Sequence, residues 1–145
     1  MDRAFAGIAL LSITDEDFAD PRHRLVLSGI RHTLERGQSP DPVTVLGELR
    51  RLGMLPSFLD DNTAGPFLAE VYAAAPIVEQ AGHYRRIVLE HAFRRRVAET
   101  AARLDQLAGT SALETLRDTL HDEWTTLHAS YQRVDGYSAA DGVVE

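Results

Sequence analysis

At 145 residues the chain is long enough for one domain whose core needs no covalent staple. It holds no cysteine, which excludes disulfides and thiolate chemistry and fits a reducing cytosol. The net charge is −7 and all 15 basic residues are arginine, so a phosphate backbone is a poor partner overall. A P-loop needs a lysine to reach the β- and γ-phosphates, and it is excluded.

Ala4 to Leu11 is an apolar run that reads as a short buried helix. It is too short to span a bilayer and lacks the flanks of a secretion signal. The expectation is a cytoplasmic chain with no membrane contact. Helical periodicity then dominates, with no run of strand alternation. A helix over 20–36 opens on Asp20 as cap and Pro21 in the first turn, carries Val26, Ile30 and Leu34 as an apolar stripe, and stops at Gly37. After the turn QSPDP, Asp41 and Pro42 repeat this opening. Val45, Leu46, Leu49 and Leu52 form the second apolar face, and Gly53 ends it. The loop PSFLDDNTAG leads to a short helix near 65–74 that stops before Pro76.

From about Val78 to Ala108 no proline occurs, and the spacing predicts one helix of about 30 residues, roughly 45 Å long. Gly109 ends it. Ser111-Ala-Leu-Glu114 reads as a capping box for a last helix, with Ser111 as cap. That helix carries Leu113, Leu116, Leu120, Trp124, Leu127 and Tyr131 and runs to about Gln132. The tail VDGYSAADGVVE has the look of a frayed end or the start of a linker. The fold class is therefore all-α: a helical globule over 1–76, a long antiparallel hairpin over 77–132, and a tail over 133–145.

Two helices joined by one turn bury little unless a third surface covers them. The first hairpin helix is apolar on two sides. Tyr84, Ile87, Val88 and His91 mark one stripe; Leu89, Phe93, Val97, Ala101 and Leu104 mark another. One stripe can face the second hairpin helix, which leaves the other for a second copy of the chain or for the globule. The second copy is favoured, because two-fold dimers are the commonest way to cover such a face. The expected interface is Tyr84, Ile87, Val88 and His91 together with Leu113, Leu116, Leu120, Trp124 and Leu127.

Chemistry is sparse. His121 and His128 share a helix with Asp122 and Glu123, but no HExxH or Cys-His grouping completes a metal site, and surface histidines explain them. No GxSxG elbow is present, and pairs such as Asp60-Asp61 read as solvated charges. No catalytic, cofactor-binding or metal residue is expected. Arg85, Arg86, Arg94, Arg95, Arg96 and Arg103 crowd the long helix. The plainer reading pairs them with Glu90 and Glu99 at helical spacing. The alternative makes the chain a stand-alone DNA-binding or regulatory protein that meets nucleic acid or an acidic partner through Arg85, Arg86, Arg94, Arg95 and Arg96. No aromatic-lined groove for single strands is evident.

Asp17-Phe-Ala-Asp-Pro-Arg-His-Arg24 resembles the DF-x-D-P-x-H-R signature of the N-terminal domain of DnaB-type replicative helicases. Asp41-Pro-Val-Thr-Val-Leu-Gly-Glu-Leu-Arg-Arg-Leu-Gly-Met-Leu55 is similar to that family's D-x-x-T-V-x-x-E-L-x-x-x-G-x-L. Phe67-Leu-Ala-Glu-Val71 before Ala75-Pro76, and His83-Tyr-Arg-Arg-Ile-Val88, continue the likeness through to about residue 132. The resemblance implies a six-helix globule and a hairpin through which subunits pair into the N-terminal collar of a hexamer, as homodimers or a trimer of dimers. It further implies docking of a DnaG-type primase, the replicative helicase or a helicase loader, with weak or no direct DNA contact. Such a chain is non-catalytic, since the family's ATP-driven motor is a separate RecA-like domain. It is either a cut-out domain or a motor-less relative.

Under the same resemblance Phe18, Asp20, Pro21, His23, Arg24, Thr44, Glu48 and Leu49 are structural, and His23 and Arg24 are expected to bond nearby loop carbonyls. Gly7-Ile-Ala-Leu-Leu11 runs almost directly into Ile13–Phe18, where the family places more residues, so the first helix is expected to be shortened or replaced.

Overall fold

A computed structural model describes residues 13–57, 59–74 and 81–135. The expected first helix, its shortened corner and the tail beyond 135 lie outside the described residues. Among the described residues there are α-helices and one 3-10 turn, with no strand. The chain divides into two compact units, Met1–His83 and Tyr84–Glu145.

In the first unit a 3-10 turn at Asp15–Asp17 precedes α1 (Pro21–Glu35), α2 (Pro42–Arg51) and α3 (Asp61–Ala73). The Asp-Pro openings act as read. The Asp20 carboxylate accepts from the Arg22 N–H at 2.8 Å, and the Asp41 carboxylate accepts from Val43 and Thr44 at 2.9 and 3.0 Å. Each satisfies amides that the helix itself leaves unpaired. Gly37 and Gly53 take positive φ, 74° and 64°. Each lets the chain fold back so that the following residue, Gln38 or Met54, donates to a carbonyl five residues earlier, both at 3.0 Å.

The core of this unit is Val26, Val45, Leu49 and Leu68, with Leu25, Ile30, Leu46, Met54, Leu55, Phe67 and Val71 packed around it. α1 and α2 approach closely at Gly29, where a Cβ would lie 2.9 Å from Val45 Cγ1. Arg31 pairs with Asp15 at 2.7 Å and donates to the Ile13 carbonyl, which fastens the entry segment to α1.

One boundary departs from the expectation. α3 begins at Asp61, not near 65, because the Asp60 carboxylate accepts from the N–H groups of Asn62 and Thr63 at 3.1 and 3.0 Å. Pro66 then falls inside the helix and removes one backbone bond, which the cap and the buried Ala64 and Leu68 offset.

The hairpin consists of α4 (Ala81–Ala108), which enters the second unit at Tyr84, and α5 (Leu113–Asp135). The turn between them is tied by Ser111 N–H to the Leu107 carbonyl at 2.9 Å and by Thr110 Oγ1 to the Gln106 carbonyl at 3.1 Å. Leu116 N–H bonds the Ala112 carbonyl, so the cap position is Ala112, one residue beyond the expected Ser111. α5 also runs three residues further than its expected end near Gln132.

Candidate assembly interface

The seam of the hairpin is held by polar contacts and one aromatic pair. Thr100 Oγ1 donates to Glu123 Oε2 at 2.8 Å, Arg103 pairs with the other oxygen of the same carboxylate, and Arg96 Nη1 donates to Ser130 Oγ at 2.9 Å. Phe93 meets Tyr131 edge-on, with ring centroids 5.7 Å apart. Thr100 and Ser130 are buried, 4% and 5% exposed. A buried hydroxyl must find a partner, and these bonds fix which face of each helix turns inward.

That choice leaves the apolar stripe of α5 uncovered. Leu113, Leu120, Trp124 and Tyr131 follow one another at intervals of seven, four and seven, which confines them to about 40° of the helix circumference. The seam residues Glu123 and Ser130 lie about 90° away. Leu113 is 82% exposed and Trp124 67%, with Leu120 and Tyr131 close to half exposed. Leu116 and Leu127, at the stripe's edge, are half-buried. Large apolar side chains aligned in this way are a contiguous patch, not scattered singles.

The nine residues expected to form one interface fall on two faces. On α4 the residues that bond α5 are Phe93, Arg96, Thr100 and Arg103, whereas Tyr84, Ile87, Val88 and His91 lie on the opposite side of the helix. Tyr84 and His91 are exposed, and Ile87 and Val88 are half-buried. Leu113, Leu116, Leu120, Trp124 and Leu127 share the α5 stripe, to which Tyr131 belongs as well.

The arginines of α4 are largely spoken for. Arg86 pairs with Glu90 at 2.9 Å and Arg95 with Glu99 at 3.8 Å, the two helical-spacing partners the sequence offered. Arg96 and Arg103 are bound into the seam, and Arg85 is half-buried. Arg94 stays exposed beside a groove lined by Phe93, Val97 and Tyr131.

The signature residues of the first unit form a separate network. Arg24 Nε donates to the Phe18 carbonyl at 2.7 Å. The His23 ring sits between Phe18 and Phe67, with centroids 6.0 and 5.7 Å away, and the Arg22 guanidinium lies 4.8 Å from the Phe67 ring centre. Asp20 caps α1 directly ahead of Pro21, and its hydrogen bond from Arg22 lowers its pKa to about 2. Thr44 Oγ1 donates to Asp41 at 2.6 Å, and Leu49 is fully buried. Glu48 is buried at 5% exposure and held by Arg51 at 2.6 Å and Arg36 at 3.8 Å, which lowers its pKa. Arg36 closes α1, so this carboxylate ties the end of one helix to the next.

Sequence reasoning missed the Arg31 tie and the Thr100–Glu123 bond, whose partners are 16 and 23 residues apart with no local pattern. Among the described residues no group of three or more metal-ligating side chains is gathered. No helix there is long and apolar enough to cross a membrane.

Residues 2–90 match the family model described as the DnaB-like helicase N terminal domain. Over 90 residues the chain is 36% identical to the replicative DNA helicase DnaB of Mycobacterium leprae (strain TN), an alignment covering 62% of the chain and 14% of that relative. Over 93 residues it is 33% identical to the replicative DNA helicase DnaB of Leifsonia xyli subsp. xyli (strain CTCB07), covering 63% of the chain and 19% of that protein. The match thus spans less than a fifth of either relative. A crystal structure of the N-terminal domain of DnaB helicase from Mycobacterium tuberculosis superposes with a TM-score of 0.71 at 30% identity, over 82% of both chains.

Proposed function

This chain belongs to the family of DnaB-like helicase N-terminal domains, and on that footing we propose that it is a non-catalytic assembly and docking module of the DNA-replication machinery. It joins copies of itself through α5, as homodimers or as a trimer of dimers in a collar. Its further partners are a DnaG-type primase, a replicative helicase or a helicase loader. The observation that carries the reading is the α5 stripe. Its large apolar side chains are exposed, while the same helix satisfies its neighbour through polar bonds a quarter-turn away. An isologous contact would bury the stripe against itself.

Motor activity is not part of the proposal, because no lysine is available for a phosphate-binding loop. Direct DNA contact is weak or absent. Four of the six arginines on α4 already hold partners in Glu90, Glu99, Glu123 and Ser130. The place of action is the cytoplasm, where replication proceeds.

Light scattering on the intact chain at micromolar concentration tests the proposal. A mass of two or more copies supports it; a single copy across that range overturns it. Turnover of ATP by the purified chain would overturn the non-catalytic part.

A further inference from the structure

The four large exposed side chains of the α5 stripe, Leu113, Leu120, Trp124 and Tyr131, stand at intervals of seven, four and seven residues. That series reads the same from either end, and its midpoint lies at the level of Asp122. The residue types follow the same symmetry. Leu113 mirrors Tyr131 and Leu120 mirrors Trp124, so each leucine is the image of an aromatic ring.

Such a spacing is what a helix needs in order to pack on a copy of itself. A two-fold axis at right angles to a helix pair sets the helices antiparallel. Each residue then meets its mirror position on the other copy. A stripe made for an unrelated partner has no need of this symmetry. Parallel pairing would also join apolar residues, but it would stack Trp124 on its own image and Leu120 on its own image. Those layers differ in width by a whole ring, whereas the antiparallel pair puts one leucine and one ring in every layer. Opposed helix dipoles favour the antiparallel pair as well. No unpaired charge is forced into the contact by Arg117, at the stripe's edge, because it is bridged to Asp118 at 2.8 Å.

We propose that α5 packs antiparallel on α5 of a second copy, across a two-fold axis level with Asp122. Leu120 lies on the partner's Trp124, and Leu113 on the partner's Tyr131. Each hairpin keeps its own seam, since Glu123 and Ser130 are a quarter-turn away. Tyr131 holds its edge contact with Phe93 and is still 49% exposed, which leaves ring surface for the incoming leucine. The proposal rests on the reading of the chain as a self-assembling module, and it adds the direction and register of the contact.

The chain has no cysteine, so thiols introduced by substitution report the register alone. Leu113→Cys and Tyr131→Cys are made separately in the 145-residue chain, mixed, and treated with a short bismaleimide. The mixture should give a covalent dimer whose linked peptides join position 113 to position 131. Either variant alone should give none, because its two thiols lie about 27 Å apart along the antiparallel pair. Gln132→Cys, exposed and next in sequence to Tyr131, replaces Tyr131→Cys should that substitution unsettle the contact with Phe93. Light scattering on the same samples separates this proposal from the reading beneath it. Single copies overturn both. Oligomers in which one variant links to itself, or in which the mixture yields no 113-to-131 link, overturn the antiparallel register and leave assembly standing.

Discussion

Thr100 on α4 donates its hydroxyl hydrogen to Glu123 on α5 at 2.8 Å, and this polar contact decides which way α5 faces. With Glu123 turned to the seam, the stripe of Leu113, Leu120 and Trp124 is rotated a quarter-turn out of it, while Tyr131 at its far end still meets Phe93 of α4. An apolar seam would have consumed that stripe and left a self-sufficient hairpin. The exposed surface therefore follows from one buried hydroxyl and its acceptor.

Replacing Glu123 by alanine should destabilise the hairpin by about 1–3 kcal/mol, since it leaves the Thr100 hydroxyl buried without its acceptor and frees Arg103. Glu123→Gln keeps an acceptor oxygen and should cost less. Urea denaturation followed by the fluorescence of Trp124, the chain's single tryptophan, reads this unit directly. Equal midpoints for wild type and Glu123→Ala would show that the seam does not set the hairpin's stability.

Trp124→Ala should weaken self-association about thirtyfold, the effect of losing one central aromatic anchor worth some 2 kcal/mol. Helical content should be unchanged, because Trp124 is 67% exposed in the single copy and, among the described residues, its ring stacks on His128, 6.0 Å away. Sedimentation equilibrium at several loading concentrations measures the shift. A variant that associates like the wild type would move the interface off the α5 stripe.

Both capped helices of the globule were legible because their signals are local: Asp-Pro at the front and Gly at the end lie within a few residues of the bonds they make. The start of α3 was not, because Gly65 and Pro66 look like loop punctuation while the deciding cap, Asp60, stands one residue before a second aspartate. The stripe on α5 was visible as spacing. Its direction was not: Phe93 of the Leu89, Phe93, Val97, Ala101 and Leu104 stripe does meet Tyr131, but Arg96, Thr100 and Arg103 beside it make the hydrogen bonds to α5, and no local pattern announces their partners. Polar side chains share the inner face with Phe93 because each finds a specific partner there. The Tyr84, Ile87, Val88 and His91 stripe therefore ends up on the opposite side of α4.

Acid should loosen the globule through its caps. The folded-state pKa of Asp20 is depressed from 3.8 to about 2, chiefly by the hydrogen bond from Arg22. Asp41 and Asp60 are lowered by hydrogen bonds from Thr44 and Thr63, and Glu48 by its bond from Arg51. A carboxylate with a depressed folded pKa stabilises the fold fully above its unfolded pKa, and that stabilisation fades as pH falls through the folded value. The melting temperature should thus be level above about pH 5 and fall between pH 4 and 2. Asp20→Asn keeps a capping oxygen but cannot titrate, so its decline across this window should be shallower. An identical slope would remove Asp20 from the acid response.

Two glycines on adjacent helices should respond to alanine with opposite signs. At Gly29 a Cβ would come within 2.9 Å of Val45 Cγ1 and 3.0 Å of Leu49 Cγ, in the middle of the α1–α2 contact. Both neighbours are core residues at 2% and 0% exposure, so neither can swing away, and Gly29→Ala should cost about 1–3 kcal/mol. At Gly47 nothing lies within 4 Å of the added carbon, and the residue sits exposed inside α2. There alanine gains only its better helix propensity, a stabilisation of about 0.5–1 kcal/mol. Thermal melts of the two variants beside the wild type decide the matter: Gly29→Ala should melt lower and Gly47→Ala higher. Should Gly29→Ala melt as high as the wild type, the close approach of α1 and α2 at Gly29 would not be what sets the spacing of the globule's first two helices.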